Sequence, residues 1–61
     1  MDIANKIRKK RKVLGYTQKA LAKEAGVTWQ TVSSAERGKS INMKTLEKIL
    51  KVLGLEIQIT D

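Results

Sequence analysis

The chain has 61 residues, with 13 lysines and arginines against 6 acidic residues and a net charge of +7, giving a pI near 10.1. A domain this small buries only about 60% of the surface its unfolded chain exposes and usually leans on a disulfide, a metal or a partner chain. Cysteine and histidine are both absent, which excludes the disulfide, removes the thiolate and imidazole metal ligands and the commonest general base, and leaves a second polypeptide as the expected support.

The charge excess points to a polyanion, either nucleic acid or an anionic membrane surface. No apolar run approaches the roughly 18 residues of a membrane span, and no apolar stretch follows the basic start as it would in a signal peptide. A cytoplasmic protein is expected. With Tyr16 and Trp29 as the only aromatic residues, a sheet that stacks unpaired bases is not expected.

Gly15, Gly26, Gly38 and Gly54 divide a proline-free chain into four helix-sized pieces. The spacing predicts a first helix over 2–14, capped by Asp2, with Ile3, Ile7 and Leu14 facing inward. Six of the seven residues in 6–12 (KIRKKRK) are cationic. As a membrane-surface helix this run would need a wide apolar face; a solvated face carrying Lys9, Lys10 and Lys12, with some phosphate contacts, is the expected use.

Thr17 is placed to cap a second helix over 18–25, and Thr28 a third over 29–37. Asn42 caps a fourth over 43–53, where Leu46, Ile49, Leu50 and Leu53 fall at i, i+3, i+4 and i+7. The period then changes. Leu55, Ile57 and Ile59 alternate with Glu56, Gln58 and Thr60, the pattern of a half-buried strand. A lone strand lacks a ladder, so strand 55–59 either pairs with its copy across a twofold axis or is a frayed end. The expected fold is all-α, a compact four-helix domain over 1–61 with one short C-terminal strand for dimerisation.

Residues 17–36, TQKALAKEAGVTWQTVSSAE, set two short helices around a glycine-containing turn, the pattern of a helix-turn-helix. Leu21, Ala25, Val27, Val32 and Ala35 supply its internal face, Ala22 is small where the two helices must approach closely, and Gly26 supplies the positive φ of the turn. Gln30, Ser33, Ser34 and Arg37 are left on an outward polar face. Gln can pair bidentately with adenine, Ser can meet a donor or an acceptor, and a Thr methyl can meet thymine. The first turn, Thr28, Trp29 and Gln30, is the part of a recognition helix that enters the major groove.

Over residues 7–54 the chain resembles the Cro/phage-repressor-like (XRE-type) helix-turn-helix family, in the runs IRKKRKVLGYTQKALAKEAGV, TVSSAERGKS and TLEKILKVLGLEI. The resemblance implies a repressor-like DNA-binding domain from a prokaryote or phage, acting at the nucleoid. It implies that Gln18 lies at the phosphate backbone, that Thr28, Trp29, Gln30 and Ser34 reach base edges, and that Arg37, Lys39, Ser40 and Lys44 face phosphates. It also implies a structural ion pair between Arg11 and Glu36. Trp29 departs from the small polar residue or arginine common in the family, and it either meets DNA or folds back on the second helix. The ending LGLEIQI is similar to the strand of HipB-like antitoxin repressors, which dimerise through it. The resemblance therefore leaves two readings, a dimeric repressor of a palindromic operator and the antitoxin partner of a toxin protein. Repressor and activator are not separated. No catalytic residue, metal ligand or cofactor is expected: there is no paired-carboxylate or phosphate-loop motif to assign a nucleophile and base.

Overall fold

The computed structural model describes residues 3–55. Four helices follow one another: α1 (Ile3–Val13), α2 (Gln18–Ala25), α3 (Trp29–Glu36) and α4 (Met43–Leu53). The described part of the chain is all-α. Strand 55–59, apart from Leu55, and the Asp2 cap lie outside the described residues.

Each helix from α2 onward begins where a side chain can satisfy the orphan amides of its first turn. Thr17 Oγ1 accepts from Ala20 N–H at 3.0 Å, Thr28 Oγ1 from Thr31 N–H at 3.3 Å, and Asn42 Oδ1 from Lys44 N–H at 2.8 Å. The helix ends are equally local. After α2, Gly26 N–H donates to Lys23 O at 3.2 Å and Val27 N–H to Ala22 O at 2.9 Å. After α4, Gly54 N–H donates to Lys51 O at 3.2 Å and Leu55 N–H to Leu50 O at 2.9 Å. These are Schellman motifs, and they require the left-handed backbone that Gly26 (φ 71°) and Gly54 (φ 70°) supply. The ends of α1 and α3 repeat the motif through Tyr16 N–H to Arg11 O and Lys39 N–H to Ser34 O, both at 3.0 Å.

In three of the four motifs the residue after the glycine, Tyr16, Val27 or Leu55, packs against the core. This gives Leu55 a role that the alternating pattern does not anticipate. Its N–H closes α4 and its side chain lies on its own domain, so that amide is not available to a strand ladder.

The core takes Ile7 from α1, Leu21, Ala22 and Ala25 from α2, Val32 and Ala35 from α3, and Ile49, Leu50 and Leu53 from α4. α2 packs on α3 and α4, and α1 completes the other side against the same two helices. Ala22, Ala25 and Ala35 are the small side chains of this core. The sequence of α3, WQTVSSAE, contains two β-branched residues and two serines, weak helix formers. Its cap and the burial of Val32 and Ala35 hold it in place.

α1 differs from the sequence expectation. Ile3 is 36% and Leu14 47% exposed, whereas Ala4 is buried beside Ile7. The inward stripe runs Ala4, Ile7, Arg11, at i, i+3 and i+7, because Arg11 turns toward Glu36. Ile3 lies at the edge of that stripe, and Leu14 just past the end of α1.

Candidate nucleic-acid interface

The site rests on one buried cluster. Arg11 Nε donates to Glu36 Oε2 at 2.6 Å and its Nη2 to Glu36 Oε1 at 3.1 Å, a two-pronged pair between side chains 11% and 3% exposed. Arg11 Nη1 also donates to the Tyr16 carbonyl at 2.9 Å. Gln18 Nε2 donates to Glu36 Oε1 at 3.3 Å. The carboxylate that ends α3 therefore holds α1 through Arg11 and the first residue of α2 through Gln18, while Arg11 itself reaches the turn before α2. Among the described residues no buried side-chain nitrogen or oxygen lacks a hydrogen-bond partner. The Gln18–Glu36 link has no signal in the sequence, because a glutamine at a helix start gives no sign of a partner 18 residues away.

Around this cluster the polar surface of α3 and the segment after it lie open. Thr28, Trp29 and Gln30 are exposed, as are Arg37, Lys39, Ser40 and Lys44. Ser33 and Ser34 are half-buried, and Gln18 is half-buried in its contact with Glu36. Lys39 stands where the other helix ends place an apolar residue on the core. A cation near the carbonyl end of a helix interacts favourably with the dipole and remains available to an anion. The surface thus combines the exposed start of α3 with the exposed Arg37, Lys39 and Lys44 of the segment that follows the helix. Such an arrangement can seat a helix in a groove while cations and amides meet the flanking phosphates.

The residues described include no cluster of acidic, histidine or cysteine side chains that could hold a metal ion. No helix among them is long and apolar enough to cross a membrane.

A family model described as helix-turn-helix matches residues 7–59. An HTH-type transcriptional regulator from Methanothermobacter thermautotrophicus is 43% identical over 51 residues, covering 82% of this chain and 74% of that protein. Among solved structures, SinR, a master regulator for biofilm formation in complex with DNA, superposes with a TM-score of 0.78 at 36% identity, over 88% of this chain and 89% of that one. HipB in a HipA–HipB–O2–O3 complex superposes with a TM-score of 0.82 at 34% identity, over 95% and 83%. HipB in complex with an O4 20-mer gives a TM-score of 0.81 at 34% identity, again over 95% and 83%. The chain belongs to the XRE-type helix-turn-helix family of DNA-binding transcriptional regulators.

Proposed function

We propose that this chain is a dimeric transcriptional repressor that reads a palindromic operator in double-stranded DNA by placing α3 in the major groove. The exposed first turn of α3, flanked by exposed Arg37, Lys39 and Lys44, carries the proposal. Thr28, Trp29 and Gln30 meet base edges, with Ser33 and Ser34 further along the helix. Gln18, Arg37, Lys39, Ser40 and Lys44 hold the phosphates. Two copies join through the C-terminal segment, with Ile57 and Ile59 as the shared apolar face and Leu55 anchoring it to the domain. Reading a palindrome in this way requires the two α3 helices to lie about 34 Å apart, one turn of duplex. The cytoplasm, where the DNA is, is its place of action.

The test is selection from a randomised duplex pool, followed by titration of the enriched duplex at several salt concentrations. The expected result is a palindromic site bound by two chains. Arg37, Lys39 and Lys44 on each protomer predict a log Kd against log salt slope of about 5 in magnitude, from roughly six phosphates neutralised. Binding without sequence preference would remove the operator and leave only DNA affinity.

A second reading is favoured by the likeness to HipB in its complex with HipA: the chain also holds a toxin protein, as an antitoxin does. A second polypeptide retained through purification separates this reading from the first.

A further inference from the structure

Trp29 is 46% exposed, although it is the chain's one tryptophan in a sequence without phenylalanine. A small domain short of large apolar groups would gain from burying this ring. Instead Trp29 opens α3 between Thr28 and Gln30, and the core is made of Ile, Leu, Val and Ala.

The Thr28 hydroxyl accepts from Thr31 N–H at 3.3 Å and shares a hydrogen bond with the Thr31 hydroxyl at 2.9 Å. Two of the three hydrogen-bonding positions of that hydroxyl are thereby engaged inside the first turn. The start of α3 thus exposes an indole directly before the amide of Gln30. In the major groove the apolar group on a base edge is the C5-methyl of thymine.

We infer that Trp29 is a specificity-determining residue that reads a thymine C5-methyl by apolar contact, next to the base pair met by Gln30. The inference rests on the DNA-binding reading above. It makes the indole a contact surface for one chemical group, so that the sequence preference of the half-site at that position follows the methyl and not the pairing edge.

The test uses the duplex enriched by the unmodified chain, with each thymine replaced in turn by uracil. Uracil keeps every pairing group and loses only the methyl. At one thymine per half-site, uracil is expected to weaken binding about fourfold, the worth of one buried methyl-sized group. Trp29→Gln is expected to bind the thymine and uracil duplexes equally, with its helical circular dichroism retained. Uniform binding of all uracil duplexes by the unmodified chain would overturn the inference while leaving DNA binding intact. Methyl dependence that persists in Trp29→Gln would assign the methyl to another group and also overturn it. If no duplex is enriched at all, the DNA-binding reading falls and takes this one with it.

Discussion

Replacing Glu36 with alanine is expected to destabilise the domain by about 3–5 kcal/mol, the cost of stranding one member of a buried ion pair. Arg11 would keep only the Tyr16 carbonyl among its present partners, with its guanidinium still largely enclosed. Gln18 would lose its hold on α3 as well. Chains of this length have total stabilities of roughly 3–9 kcal/mol, so the variant should melt at least about 12 °C lower or be unfolded at room temperature. Thermal denaturation followed by circular dichroism reads this directly. The double variant Arg11→Met with Glu36→Leu should recover more than half of the loss, because apolar side chains of similar volume can replace a buried pair at little cost. A loss below about 1 kcal/mol in the single variant would instead mark the pair as an ordinary surface contact.

Leu21→Ala should be nearly as damaging, at about 2–5 kcal/mol. Leu21 is completely buried on α2, the helix that packs on both α3 and α4. Truncation leaves a cavity in the core cluster that the surrounding side chains fill only in part. Urea titration of this variant should show a lower midpoint with an unchanged slope. Val13→Ala provides the contrast. Val13 is 77% exposed, and its truncation should change stability by no more than about 0.5 kcal/mol.

Much of this fold is local, and that is why it can be read from the sequence. Thr17, Thr28 and Asn42 cap the helices they are expected to cap, and the glycines close them in left-handed turns. The apolar period of α4 places Ile49, Leu50 and Leu53 in the core. α1 is harder, because six cations obscure its inward stripe and periodicity alone treats Arg11 as surface. The partner of Arg11 lies 25 residues away, a separation at which spacing is silent; family resemblance points to the pair. The two further contributors to this cluster's hydrogen bonding have the same non-local character. Gln18 belongs to it because α2 begins beside the end of α3, and the Tyr16 carbonyl because the turn after α1 passes there.

The candidate site divides along the same line. Exposure of Thr28, Trp29, Gln30, Arg37, Lys39, Ser40 and Lys44 follows from which face of α3 and which loop the core leaves uncovered. The half-burial of Ser33 and Ser34 depends on how deeply α3 sits between its neighbours. Use of the Thr28 hydroxyl within its own turn depends on a side-chain rotamer. Neither quantity is set by the periodicity of the sequence.

Which surface holds the DNA is decided by an amide chemical-shift map of the isotopically labelled chain titrated with its enriched duplex. Shifts are expected to concentrate at Gln18, in α3 from Thr28 to Ser34, and from Arg37 through Lys44, while the exposed Arg8, Lys9 and Lys12 of α1 respond weakly. A map centred instead on the basic run 6–12, with α3 undisturbed, would contradict recognition through α3 and leave the charge of the first helix, rather than the shape of the third, as what holds the DNA.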